Sequence, residues 1–255
     1  MKKPYVFANW KMNLSLPQSV ALARAVVNGA LENGAEIVLC PSFTSLTPVM
    51  AVIKGSGIQL GGQDLSGEEN GAFTGQVSAA MLKEAGCQYV IVGHSERRQN
   101  LGESDNLISR KIAMALRHDL TPVLCIGENR EERESGKWRE IILRQMREDL
   151  SLTAPDNSLV IIAYEPIWAI GSGQPVTARQ ASETADFIKQ SLFDIFGPEQ
   201  EKKRFAIIYG GSVDGDNVKD FVGRGLTEGV LVGTSSLSAD KLLPVVNNIF
   251  TNYVF

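Results

Sequence analysis

The chain has 255 residues, 44% apolar and 21% charged. That is the balance of an ordinary globular protein, which excludes a disordered chain, a collagen-like repeat and a disulfide scaffold. Twenty-five basic against 29 acidic residues leave a formal charge of −4, so no basic surplus exists to neutralise a nucleic-acid backbone, and an anionic substrate must be held by local positive potential.

Three widely spaced cysteines (Cys40, Cys87, Cys125) without a C-x-x-C pair point to a reducing compartment. With only His94 and His118 besides, a structural zinc site is not expected. Residues 1–10 hold no apolar stretch long enough for a signal-peptide core, and no run approaches the roughly 18 apolar residues of a membrane span. A soluble, cytoplasmic protein without membrane contact is the expectation.

In chain order, the first apolar run is 5–9, followed by a helical stripe of Val20, Leu22, Ala23, Val26 and Val27. Runs at 37–41, 58–62 and 89–93 come next, then a stripe of Ile108, Ile112, Ala115 and Leu116. Runs at 122–127 and 159–165 precede a stripe of Phe187, Ile188, Leu192 and Ile195, and runs at 206–210 and 230–233 complete the series. Runs that are apolar at nearly every position suit parallel strands buried on both faces. Eight such units average about 32 residues, close to the length of a βαβ unit. The alternation predicts a parallel sheet, either an open doubly wound sheet or a closed barrel.

An open sheet usually carries a glycine fingerprint after its first strand. Here that strand runs into Trp10-Lys11-Met12-Asn13, with no glycine. Gly171-Ser172-Gly173 lacks the third glycine, and no G-x-x-x-x-G-K-[ST] sequence occurs. The expectation is a closed eight-stranded α/β barrel, with residues 1–255 as one domain.

Chemistry in such a barrel sits where strands end. The predicted strand ends supply Asn9 and Lys11; Pro41 and Ser42; Gln63 and Asp64; His94, Ser95 and Glu96; Cys125 and Glu128; Glu165; Gly210, Gly211 and Ser212; and Gly233 and Thr234. Glu165, at the mouth of an apolar strand, is a candidate general base, although a glutamate there is as often a surface residue. A lone His94 is more often structural, and a lone Lys11 more often solvated. On one rim with Glu165 they become an electrophile and a cation for an anionic substrate. The two glycine turns follow the last two strands, where barrels often bind phosphate. His118 reads as structural and Cys125 as apolar filling, whereas Arg97-Arg98 cannot be assigned from spacing.

Seven segments in order, each near a strand end, resemble the triosephosphate isomerase family over nearly the whole chain. They are Asn9-Trp10-Lys11, Gly71-Ala72-Phe73-Thr74-Gly75, Gly93-His94-Ser95-Glu96-Arg97-Arg98 and Cys125-Ile126-Gly127-Glu128, followed by Ala163 onward through Tyr164-Glu165-Pro166 to Gly171, then Tyr209-Gly210-Gly211-Ser212-Val213 and Leu231-Val232-Gly233. The resemblance implies a TIM barrel that interconverts dihydroxyacetone phosphate and glyceraldehyde 3-phosphate through an enediolate, in glycolysis and gluconeogenesis, with no cofactor or metal. Glu165 would be the base, neutral His94 the electrophile, and Lys11 and Asn9 the groups on the substrate oxygens. Glu96 would hold the histidine and lysine in place. Residues 166–176 would form a lid, with Gly171, Ser212, Gly233 and Thr234 on the phosphate. The resemblance also implies a homodimer in which the loop around Thr74 crosses to the partner's site.

Four features depart from the family's usual pattern. Gln76 stands for a glutamate expected to meet Arg98 near the dimer interface. Asp64 replaces an asparagine, adding a charge in that region. Gln174-Pro175-Val176 alters the lid's second hinge, where proline fixes φ. Thr234 replaces a glycine, and a β-branched residue is poor at positive φ. Another phosphate-binding barrel enzyme would share the glycine turns without needing Glu165, His94 and Lys11 on one rim, and a non-catalytic barrel scaffold is disfavoured by the intact triad.

Overall fold

The structure, a computed structural model, describes residues 3–30, 34–153, 158–170, 176–223 and 226–249. Among these, eight parallel strands close on one another in sequence order, from β1 to β8 and back to β1. They are β1 (Tyr5–Asn9), β2 (Glu36–Cys40), β3 (Gln59–Gly62), β4 (Tyr89–Val92), β5 (Thr121–Ile126), β6 (Val160–Tyr164), β7 (Phe205–Tyr209) and β8 (Gly229–Val232). Around them lie α1 (Leu16–Gly29), α2 (Leu46–Ile53), α3 (Ala79–Glu84), α4 (Ser95–Leu101), α5 (Asp105–Arg117), α6 (Arg130–Glu134), α7 (Trp138–Asp149), α8 (Ala178–Phe196), α9 (Pro198–Arg204) and α10 (Ala239–Ile249). The closed (β/α)8 barrel expected from the apolar runs is the fold.

Both strand faces are buried, and the two-residue period of a strand divides them into two cores. Tyr5, Phe7, Val38, Cys40, Ile91, Val123, Cys125, Ile161, Ala163, Ala206, Ile208 and Leu231 fill the barrel interior. The alternate residues, such as Val6, Ala8, Val90, Val92, Ile162 and Tyr164, pack against the helices. That second core takes up the predicted stripes: Leu22, Ala23 and Val26 of α1, Ile108, Ile112 and Ala115 of α5, and Ile188 and Leu192 of α8.

The same alternation places the site. Two residues past the inward Phe7 is Asn9, and two past the inward Ala163 is Glu165. Gly210 follows Ile208, and Gly233 follows Leu231, by the same step. Residues that continue the inner face therefore converge at the carboxyl end of the barrel. The other end is plugged by aromatic rings, with Phe7 edge-on to Tyr89 at 5.2 Å between centroids.

Candidate active site

Glu165 leaves β6 with its N–H donated to Ile126 O at 2.7 Å. That close approach needs glycine at position 127, because a Cβ there would fall 1.7 Å from the Glu165 carbonyl oxygen. The carboxylate is almost fully buried, at 2% exposure. Its Oε2 accepts the Ser95 backbone N–H at 3.0 Å, and its Oε1 lies 3.2 Å from His94 Nε2. Gly210 leaves the space beside it, since a Cβ at that position would stand 3.0 Å from Glu165 Cγ.

His94 caps α4, its Nδ1 accepting the Glu96 backbone N–H at 3.2 Å. An accepting Nδ1 carries no proton, so a neutral ring holds its hydrogen on Nε2 and points it at Glu165. Glu96 faces the opposite side of the constellation. Its Oε1 takes Lys11 Nζ at 2.7 Å, and its Oε2 lies 3.7 Å from His94 Nδ1.

Lys11 stands two residues beyond β1 with φ of 50°, a left-handed conformation shared among non-glycine described residues only with Asp119. Such a conformation costs on the order of 1–3 kcal/mol and persists where surrounding contacts hold it. Here Asn9 Oδ1 accepts the Lys11 N–H at 3.1 Å.

Asn9, Lys11, His94, Glu96 and Glu165 open onto one cavity of about 290 Å³. Its opposite wall is the pair of turns after β7 and β8, Gly210, Gly211 and Ser212 with Gly233, Thr234 and Ser235. The arrangement sets a carboxylate, an imidazole N–H and an ammonium across from a wall made of short loop backbone. It can move a proton beside a carbonyl while an anionic group rests against the turns.

The triosephosphate isomerase family pattern matches residues 4–249. The chain belongs to the triosephosphate isomerase family. A triosephosphate isomerase of Endomicrobium trichonymphae is 45% identical over 249 residues, which cover 96% of this chain and 98% of the relative. One from Thermoanaerobacter pseudethanolicus is 41% identical over 248 residues, covering 97% of this chain and the whole relative.

Within this member of the triosephosphate isomerase family, Arg98 is already bonded to four groups of its own subunit. The Arg98 guanidinium donates to Asp105 at 2.5 Å, Asp149 at 2.6 Å, Gly93 O at 2.8 Å and Cys125 O at 3.1 Å. With its side chain only 12% exposed, Arg98 is committed inward, whereas Gln76 is exposed.

Asp64 likewise adds no free surface charge. It is buried against Lys111 Nζ at 2.6 Å and Arg97 at 2.8 Å. Glu103 completes this quartet, 2.5 Å from Lys111 and 2.7 Å from Arg97. Burial pushes the Asp64 carboxyl above its ordinary range despite the pull of Lys111.

Thr234 is not at positive φ. It opens the one-turn 3-10 segment Thr234–Ser236, so the backbone objection to a β-branched residue disappears. Gly171, Gln174 and Pro175 lie outside the described residues. His118 pairs with Glu69 at 2.7 Å, away from the cavity, and Cys125 is buried apolar filling, as its sequence context suggested.

Sequence reasoning gave no role to Ser95, Glu128 or Gln63. Ser95 contributes a backbone N–H, which any residue could supply, so it leaves no side-chain signal. Glu128 is fully buried beneath the segment that follows Glu165, accepting Trp168 Nε1 at 2.9 Å and Tyr164 OH at 3.1 Å. Burial raises its carboxyl above the usual range, against the lowering effect of Trp168. Its place just past the fifth apolar run, in the Cys125-Ile126-Gly127-Glu128 motif, was the available hint.

Proposed function

We infer that this protein interconverts dihydroxyacetone phosphate and D-glyceraldehyde 3-phosphate through an enediolate, an isomerisation of glycolysis and gluconeogenesis. The observation that carries the reading is the convergence of Glu165, His94 and Lys11 on one cavity, with Glu165 Oε1 3.2 Å from His94 Nε2. Glu165 takes the proton from the carbon beside the carbonyl and returns it to the neighbouring carbon. His94 Nε2–H polarises the carbonyl oxygen and relays a proton between the two oxygens. The Lys11 ammonium stabilises the enediolate charge as it develops, Asn9 orients the oxygens, and Glu96 holds Lys11 beside His94. The Ser212, Gly233, Thr234 and Gly171 backbone amides grip the phosphate. Closure of residues 166–176 excludes water, in which an enediol phosphate would eliminate its phosphate. The reaction moves protons without net oxidation, so it calls for no redox cofactor, and the His94 Nε2–H and Lys11 ammonium supply the carbonyl polarisation that a metal would otherwise provide.

A coupled assay with glyceraldehyde 3-phosphate tests the activity directly. Lys11→Met is expected to raise KM and lower kcat together, because the ammonium serves both the bound anion and the transition-state charge. An unchanged KM would show that Lys11 does not meet the substrate.

Residues 1–255 form one catalytic domain in this reading, in the cytoplasm. No described helix is long and apolar enough to cross a membrane, and the net charge of −4 disfavours nucleic acid. The working form is a homodimer. In the loop Gly71-Ala72-Phe73-Thr74-Gly75, Phe73 is 46% exposed. Beside the catalytic residues a second groove of about 270 Å³ runs past Lys11, Met12, Phe43, His94 and Leu101. Met12 and Leu101 are exposed at 96% and 64%. Reciprocal docking of each loop into the other copy's groove would bury the exposed half of Phe73 for roughly 0.7–1.5 kcal/mol. Light scattering coupled to size exclusion should give twice 27.7 kDa, with activity falling on dilution below the dissociation constant. A fully active monomer would refute the dimer.

A further inference from the structure

The left-handed conformation of Lys11 is secured by a side chain from another strand. Gln63 lies immediately after β3, half-buried. Its Nε2 donates to Lys11 O and to Cys40 O, both at 2.9 Å. Cys40 is the register partner of Asn9 at the end of the β1–β2 pair, so one amide ties together the ends of two strands with both its hydrogens spent.

On the other side of the residue, the Lys11 N–H is held by Asn9 Oδ1 at 3.1 Å. The backbone of Lys11 is thus gripped at its N–H and at its C=O. Downstream, Met12 is 96% exposed and provides no anchor through burial. Asn13 closes the turn onto Trp10 O at 2.9 Å, a bond that does not engage the Lys11 carbonyl.

We propose that Gln63 is a positioning residue for the reaction, locking Lys11 in the left-handed conformation that carries its ammonium to Glu96 and the cavity. This rests on the reading of Lys11 as the substrate's cation. Two carbonyl oxygens facing one side chain require two donors on one nitrogen, which a carboxylate or an apolar group of the same length lacks. Without them the Lys11 carbonyl loses its partner and the residue relaxes toward negative φ, which an L side chain prefers. The Cα–Cβ direction turns with it, and Nζ leaves the site.

Gln63→Met keeps the stem and removes both donors. Gln63→Glu keeps the shape and is the second variant should the first not fold. Inorganic phosphate is titrated calorimetrically into the wild-type protein, Lys11→Met, Gln63→Met and the double variant, with KM for glyceraldehyde 3-phosphate and the light-scattering mass measured alongside. Each single variant should weaken phosphate binding about tenfold or more, the loss expected for a charged hydrogen bond. The double variant should bind no more weakly than Lys11→Met alone, because Gln63 acts through Lys11. KM should rise in Gln63→Met at unchanged mass.

Wild-type phosphate affinity in Gln63→Met beside a weakened Lys11→Met overturns the proposal alone, whatever happens to thermal stability. A loss that repeats in full in the Lys11→Met background, or that appears only with a change of mass, overturns it as well. Undiminished affinity in Lys11→Met would instead overturn the reading of Lys11 and remove the basis of the proposal.

Discussion

Replacing Glu165 with glutamine is expected to lower kcat by about 10²–10⁴-fold, the usual worth of a positioned general base. Phosphate affinity should stay within a few-fold of wild type. Glutamine matches the size of the buried side chain, and its carbonyl oxygen can still accept the Ser95 N–H that now bonds Oε2 at 3.0 Å. It has no basic oxygen to take a carbon-bound proton. The proposed phosphate wall of Gly210, Gly211, Ser212, Gly233 and Thr234 belongs to other strands, which is why binding should survive. Steady-state kinetics together with phosphate inhibition separate the two effects. Turnover within a few-fold of wild type would exclude Glu165 as the base, and a parallel collapse of phosphate affinity would mean that the substitution had disrupted the site.

The largest effect on stability is expected from Arg98→Leu. Breaking a buried ion pair by removing one partner typically costs about 3–5 kcal/mol, because the remaining charge is left uncompensated. Arg98 faces two carboxylates, and one of them, Asp149, is fully buried with its Oδ1 unpartnered among the described residues. It also donates to the carbonyls of Gly93 and Cys125, joining the ends of β4 and β5 beneath the site. Burial pushes the Asp149 carboxyl up from 3.8 to about 7, against the pull of Arg98.

The folded state therefore holds a proton at Asp149 more tightly than the unfolded chain does. The stability this contributes is fully present below pH 3.8 and is lost as pH rises through about 7. Removing Arg98 takes away the attraction that lowers this pKa. The deficit of the variant should consequently be smaller at pH 5 than at pH 8, as read by urea unfolding at both. Equal deficits would show that Asp149 ionises independently of Arg98.

The apolar runs determined a parallel sheet buried on both faces, and the missing glycine fingerprint after the first run turned the expectation to a barrel, whose closure the structure shows. A strand covered by helices outside and side chains inside must be apolar at nearly every position, so eight such runs report two-sided burial without any coordinates. The predicted runs 37–41 and 206–210 fall within one residue of Glu36–Cys40 and Phe205–Tyr209. Catalytic candidates were legible for a related reason. A carboxylate, a histidine or a lysine closing an apolar run stands out locally, and the barrel brings all strand ends to one rim.

Contacts that cross the chain were decided only by the tertiary structure. The Arg97-Arg98 pair reads identically in sequence, yet Arg97 turns to Asp64 and Glu103 while Arg98 turns inward to Asp105 and Asp149. Their different fates follow from which side of α4 meets the barrel. Glu165 and His94 meet across the rim although 71 positions separate them. The strained backbone of Lys11 is likewise only half explained by Asn9-Trp10-Lys11-Met12: Asn9 holds its N–H locally, but its carbonyl is held by Gln63, 52 positions away. Burial of a whole strand leaves a trace in the strand's own residues, but a hydrogen bond or ion pair between distant residues takes its direction from the closed barrel, and only the fold could set it.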